Sequence, residues 1–310
     1  MTFLISHVTI GAPWLIAVGF VVGVLGGFFG VGGSFLAGPA LYALGLPMNY
    51  VVGTDIAHIV GKSVVAAKKH RALGNVDIKL GLLMAFGTIP GVELGARVVQ
   101  ALKRTQHADL ALGLSFSAVL LVISVFITWE SLGALRRARA EKTGRIKTKA
   151  AGNTVKKDRL HFNVLWKWIH AVQIRPMIAL PVSGIRVSFW AVLVVSLIGG
   201  FFSGFLGGGA GYIRMPMLVY VLGVPTHVAI GTDLFEIILS AGYGTFSHAL
   251  KGNVDILIAL VMHTGAAIGA QIGAQATERF RGPGIRLAFA PLPILGAATL
   301  LYELHHRGLL

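Results

Sequence analysis

The chain has no cysteine, and only 13% of its 310 residues are charged. The first absence excludes disulfides, thiolate metal sites and cysteine nucleophiles, and leaves the redox compartment open. The second excludes an ordinary soluble domain: 55% of the residues are hydrophobic and the mean hydropathy is +0.76, which together read as an integral membrane protein. No Lys or Arg precedes the first apolar run, near Ile10, so we expect a retained span and not a cleaved leader.

The charge that is present is unevenly placed. Thirteen of the 27 Lys and Arg residues lie between Trp129 and Ser188, against Glu130, Glu141 and Asp158, so this segment carries +10 of the net +15. A basic loop between apolar spans reads as a cytoplasmic connection attracted to anionic lipid, not as a nucleic-acid surface. Phe162, Leu165, Ile169 and Val172, beside Trp166 and Trp168, have the spacing of a short interfacial helix, with an irregular linker as the alternative.

The sequence is written twice. GFFGVGGSF at Gly27 to Phe35 returns as GFLGGGAGY at Gly204 to Tyr212, and Pro39 returns as Pro216, at an offset of 177. At an offset of 178, LGLP ending at Pro47 returns as LGVP ending at Pro225, GTD at Gly53 returns at Gly231, and GNVD at Gly74 returns at Gly252. In the same register His70 matches His248, and Gly87, Gly91 and Gly95 match Gly265, Gly269 and Gly273. This divides the chain into a first membrane repeat (1–130), a basic cytoplasmic linker (131–187) and a second membrane repeat (188–310).

Each copy holds five apolar segments: roughly 10–29, 35–44, 51–67, 78–102 and 110–128, then 189–206, 212–222, 229–248, 256–277 and 285–302. The second of each set is short, ten residues of helix rising about 15 Å against a hydrocarbon core of about 30 Å, and reads as a half-helix or re-entrant piece, with a full span left open. With five crossings per copy, equivalent loops fall on opposite sides. Lys68, Lys69 and Arg71 then lie inside with the central loop, as do Arg279, Arg281 and Arg286, while Lys251 falls outside; Lys103 and Arg104 are the exception. The fold expected is an all-α integral membrane protein of about ten transmembrane or half-membrane helices in two inverted-topology repeats, an arrangement that points to a secondary transporter.

Candidate substrate-binding residues follow from the repeat. Gly30, Gly32 and Gly33, and Gly207, Gly208 and Gly209, precede the short segments, where broken backbone could present N–H groups to an anion; close helix packing is the plainer reading. Thr54 and Thr232 belong to the paired GTD. Asp55, His58 and Lys62 share one helix face, matched in copy two by Asp233, Glu236 and Ser240. Ionisable groups in apolar helices are costly and usually functional, the alternatives being helix caps near the interface for the Thr and Asp of GTD and snorkelling to the surface for Lys62 and Arg214. Lys62 and then Arg214 are candidates to neutralise an anion, and Asp55, His58, Asp233 and Glu236 are candidates for ion coupling. The Gly ladders read as packing seams. Glu93, opposite Gln271, is either a protonatable gate or a satisfied polar contact, and His70 and His248 are expected to be hydrogen-bond partners near loops.

Two motifs fail on inspection. Gly61–Lys62–Ser63 reads GKS, yet Ile56 stands where a phosphate-binding loop needs Gly, and no G-x-S-x-G elbow or dinucleotide fingerprint occurs. No metal-ligand spacing and no cofactor motif is present.

The two Gly-rich stretches each followed by Pro, the paired GTD and the paired GNVD resemble the sulfite exporter TauE/SafE family over nearly the whole chain outside the basic loop. The matching positions are Gly30, Gly32, Gly33, Pro39, Gly53 and Thr54, and Gly207, Gly208, Gly209, Pro216, Gly231 and Thr232. The chain differs in its long basic loop and in Asp55 and Asp233, where a small residue such as Ser is also common. The resemblance implies a multi-pass inner-membrane carrier of a small sulfur-containing anion (sulfite, a sulfonate or similar), working by alternating access and coupled to protons if those acids titrate. Alternatives from other classes are an anion channel of the same fold, a non-sulfur organic anion carrier, a membrane-embedded enzyme and a scaffold that recruits a partner through the basic loop. The expected partners are the anion and anionic lipid, with no nucleic acid; cofactors and oligomeric state are not indicated.

Overall fold

The computed structural model describes residues 2–3, 5–30, 33–105, 107–142, 175–280, 285, 288–289 and 291–310. Gly32, Arg281, Arg286 and the interfacial helix expected at 162–172 therefore lie outside the described residues.

A hairpin that hydropathy does not announce precedes the first helix of each half, the second hairpin falling at 177–188, almost wholly within the stretch read from sequence as linker. In the first half β1 (Thr2–Phe3) pairs antiparallel with β2 (Val8–Thr9), followed by α1 (Ala12–Phe29), α2 (Ser34–Ala43), α3 (Met48–Ala72), α4 (Ile78–Lys103) and α5 (Ala108–Lys142). In the second, β3 (Met177–Leu180) pairs with β4 (Ile185–Ser188), ahead of α6 (Phe189–Leu206) and α7 (Gly211–Pro216). A 3-10 turn at Gly208–Ala210 precedes α7 and a π turn at Met217–Val221 continues it; α8 (Thr226–Leu250), α9 (Ile256–Ala276) and α10 (Leu292–His306) complete the half.

The helix limits follow from local chemistry. Asp77 and Asp255 cap α4 and α9, their carboxylates accepting from the N–H groups of Leu80 and Ile258 at 3.2 and 3.3 Å. Pro47 and Pro225 stand immediately before α3 and α8, where no N–H is needed. Helix α5 runs on past Thr128, where the apolar run was expected to end, because the Ala-, Arg- and Lys-rich stretch to Lys142 has good helix formers even though it is too polar for a membrane core.

Among the described residues, five helices are long and apolar enough to cross a membrane: α1, α4, the Ala108–Trp129 part of α5, α6, and α9 with its following turn to Arg279. Helices α3 and α8, of 25 residues each, bury Asp55, His58 and Lys62, and Asp233 and Glu236, among the other helices.

The halves are interleaved. A side chain at Gly19, Gly23 or Gly27 of α1 would strike the backbone of Met262, Ala266 or Ala270 on α9, and one at Gly265, Gly269 or Gly273 would strike Ile16, Phe20 or Val24. The counterparts hold with the halves exchanged: Gly200 and Gly204 of α6 lie on Thr88 and Val92 of α4, and Gly87, Gly91 and Gly95 lie on Leu193, Leu197 and Phe201. Each half's first helix thus packs in parallel on the other half's fourth, at a separation only glycine permits; the attraction is van der Waals contact between backbones. The Gly ladders are these seams.

At the centre α3 and α8 lie antiparallel. Gly231 abuts His70, Gly244 abuts Ile56, and Ile59 and Ile237 both close on Gly209. In this register Lys62 and Ser240, which correspond in the two halves, fall level with each other midway along the pair.

Candidate functional site

The helical breaks sit against the central pair. Gly30 (φ 71°) abuts Ile230 of α8 and its counterpart Gly207 (φ 81°) abuts Val52 of α3, so each break is wedged against the other half's central helix. Gly33, Gly208 and Gly209 are also left-handed (φ 75°, 67° and 75°), a conformation that costs glycine little. The described glycines of both runs, Gly30, Gly33, Gly207, Gly208 and Gly209, are buried within the protein. In the second, the chain passes from α6 through the 3-10 turn directly between Ile59 and Ile237.

Midway along α3, Lys62 is 1% exposed, and its ammonium has no hydrogen-bond partner among the described residues. It lies in the field of Asp55, one side of which is 3.4 Å from His58 Nδ1; Asp55 Oδ2 and His58 Nε2 have no partner among the described residues. Tyr212 of α7, fully buried and with no hydroxyl partner among the described residues, also lies in the field of Asp55. His263 of α9 reaches this pole: its ring stands where a side chain at Gly61 would go.

The second pole is built differently. Arg214 of α7, with no exposed surface, donates from Nε to Asp233 Oδ1 at 2.7 Å and forms an ion pair through Nη1 with Glu236 Oε2. The Ser240 hydroxyl donates to the same Glu236 oxygen at 3.3 Å. Arg214, the second candidate to neutralise an anion, is paired here with two carboxylates, as a buried guanidinium requires, while its Nη2 has no hydrogen-bond partner among the described residues. Gly199 of α6 makes room for its stem, since any side chain there would strike it.

Thr54 and Thr232 also have other engagements. Thr54 Oγ1 accepts from the Asp255 N–H and Thr232 Oγ1 from the Asp77 N–H, both at 2.9 Å. His70 and His248 meet the carbonyls of Gly27 and Gly204 through Nε2 at 3.1 and 2.9 Å, holding the ends of α1 and α6. Glu93 accepts from Tyr243, Ser247, Lys251 and Arg97, which makes it a satisfied contact between α4 and α8. No group of three or more His, Cys, Asp or Glu side chains suited to a metal occurs among the described residues.

Tyr212 and His263 were not singled out from sequence. Tyr212 closes the GFLGGGAGY copy where the first copy has Phe35, and that exchange of an apolar for a polar ring is the signal that could have found it. His263 has no such mark.

Comparison with known proteins decides the family. The family model described as "Sulfite exporter TauE/SafE" matches residues 15–300. The chain belongs to the sulfite exporter TauE/SafE family. Among curated relatives of this family member, "Probable membrane transporter protein YunE" of Bacillus subtilis is 25% identical over 297 residues, covering 93% of this chain and 97% of that protein. "Probable membrane transporter protein YdhB" of the same organism is 23% identical over 291 residues, 93% and 99% of the two chains. A "Probable membrane transporter protein" of Xylella fastidiosa is 35% identical over 119 residues, 36% of this chain and 46% of that one. No solved structure matches. The family and the apolar helices make this a multi-pass membrane protein of a transporter family.

Proposed function

We propose that the protein is a secondary carrier of a small sulfur-containing anion, such as sulfite or a sulfonate, whose site lies between α3 and α8 at Lys62. The observation that carries this reading is the Lys62 ammonium itself: fully buried, without a hydrogen-bond partner among the described residues, and level with Ser240 where the halves meet. A buried cation lacking hydrogen bonds is expensive unless a ligand completes it. A tetrahedral or pyramidal oxyanion supplies the acceptors that Lys62 lacks, and Tyr212, buried in the field of the same Asp55, adds a hydroxyl without a partner among the described residues.

Alternating access is supported by the interleaved contacts and by the antiparallel course of the corresponding helices α3 and α8, which fit two inverted halves with an axis near Lys62 and Ser240. Coupling to protons is supported by charge. Lys62 and Arg214 face Asp55, Asp233 and Glu236, so two cations meet three carboxylates before any anion enters. A proton taken up by one of these carboxylates relieves the excess, and the sodium-gradient arm of the liposome test separates it from a metal cation. We place the basic loop in the cytoplasm and the chain in the inner membrane on the distribution of Lys and Arg.

The reading is tested with purified protein in liposomes given sulfite, sulfate, thiosulfate, sulfoacetate and taurine under imposed pH or sodium gradients. Saturable uptake of sulfite or sulfoacetate that follows the pH gradient is the expected result. Currents far above carrier turnover would favour a channel, and the absence of uptake for every anion would end the proposal.

A further inference from the structure

The paired GNVD motifs are explained neither by membrane insertion nor by the central site, and the two hairpins have no assigned role. The structure joins them. Ser6, in the turn between β1 and β2, donates to Asp255 Oδ2 through its N–H at 3.2 Å and its hydroxyl at 2.7 Å. Ser183, in the turn between β3 and β4, does the same to Asp77 Oδ2 at 3.1 and 2.7 Å. The backbone goes left-handed directly after each serine, at His7 (φ 55°) and Gly184 (φ 63°). Each serine is thereby buried while Ile5 and Val182 beside them stay 43% and 47% exposed.

The relay continues inward. Asp255 donates its N–H to Thr54, which precedes Asp55 on α3; Asp77 donates to Thr232, which precedes Asp233 on α8. The carbonyls of Asn253 and Asn75 close on Gly53 and Gly231, fixing the same turns of helix. Two identical chains thus run from a surface hairpin, through a buried aspartate, to a central carboxylate, and each crosses from one half to the other. Because α3 and α8 are antiparallel, with His70 beside Gly231, the Thr54 and Thr232 ends lie about 22 Å apart along α3. The chains therefore sit at opposite ends of the site, and in this structure both are closed over central side chains that are 0–1% exposed.

We propose that Asp77 and Asp255 are positioning residues of the carrier, holding Asp233 and Asp55 through Thr232 and Thr54, and that the hairpins they bind are the two closures of the site, released one at a time. This rests on the α3–α8 interface being the translocation site. Release of the Ser6 hairpin frees the Asp55 end, and release of the Ser183 hairpin frees the Asp233 end. With inverted halves the two releases open opposite faces of the membrane.

The chain contains no cysteine, so one introduced thiol reports on access. The reporter is Ser240→Cys in the full-length protein, challenged with a membrane-impermeant maleimide in right-side-out and inside-out vesicles. Adding Ser6→Ala is expected to raise labelling about tenfold from one side only, and adding Ser183→Ala to raise it about tenfold from the other, the population shift that follows loss of one charge-assisted hydrogen bond. Ser6→Thr and Ser183→Thr, which keep the hydroxyl, are expected to restore slow labelling. Unchanged labelling in both alanine variants, or an equal rise from both sides, would overturn the proposal; monodisperse elution of each variant separates the second outcome from unfolding. Sulfite uptake is measured on the unsubstituted protein and on Ser6→Ala and Ser183→Ala without the Ser240→Cys reporter, since Ser240 itself lies at the site. Uptake with labelling that ignores sidedness sinks the closures and leaves the carrier reading standing, whereas sided labelling without uptake of any anion sinks the carrier reading alone.

Discussion

Lys62 and Arg214 are both fully buried cations, yet they stand in opposite chemical positions. Arg214 is held by Asp233 and Glu236, while Lys62 has only the field of Asp55. Lys62→Ala is therefore expected to weaken anion binding, read as the concentration for half-maximal uptake, by about tenfold or more. Lys251→Ala, at the Glu93 network, should leave that concentration nearly unchanged, and equal effects would remove Lys62 from the site. Arg214→Met is expected to destabilise the protein by about 3–5 kcal/mol, because it strands two buried carboxylates. Adding Asp233→Asn and Glu236→Gln should recover much of the thermal stability in detergent without recovering coupling to a pH gradient. These identities were readable from sequence as ionisable residues in apolar helices. Their division into a free cation and a paired one was not, because Arg214 meets Asp233 across 19 residues and a helix boundary.

At the scale of helices, the seams between α1 and α9 and between α4 and α6 depend on backbones in contact. Gly91→Val and Gly200→Val each place a side chain into the facing backbone, and overpacking of this kind costs about 1–3 kcal/mol or more. Both variants are expected to show a lowered melting temperature in detergent, whereas Gly242→Val, which meets nothing, is expected to melt as the unsubstituted protein does. The ladders were legible as seams from their four-residue spacing. Their partners were not: spacing shows that a helix face is small, but only the packed molecule shows that each first helix pairs with the fourth of the other half. The hairpins escaped notice because two- and four-residue strands carry too little pattern to register against long apolar runs.

For the whole molecule, the distribution of basic residues makes a topological prediction. Protease added to intact spheroplasts is expected to leave the 143–174 segment uncut, and the same protease added to inverted vesicles to sever it into two membrane-held halves. Cleavage from the outside would reverse the orientation. Deletion of residues 143–159 is expected to leave sulfite uptake close to that of the intact chain, since every contact assigned to the site lies elsewhere; loss of function on deletion would favour a recruiting scaffold.

Composition, the 177- and 178-residue offsets and the placement of charge determined that this is a duplicated, multi-pass membrane protein, and the family motifs lie within that repeat. These properties are sums or periodicities along the chain, and a bilayer reads them segment by segment. Tertiary structure alone decided that the halves interleave, that Lys62 and Ser240 come level, that Thr54 and Thr232 serve the GNVD aspartates, and that Arg214 is already paired. The physical reason is common to all four: each is a contact between groups far apart in sequence, fixed by how closely glycine lets two helices approach and by where a buried polar atom can find its partner.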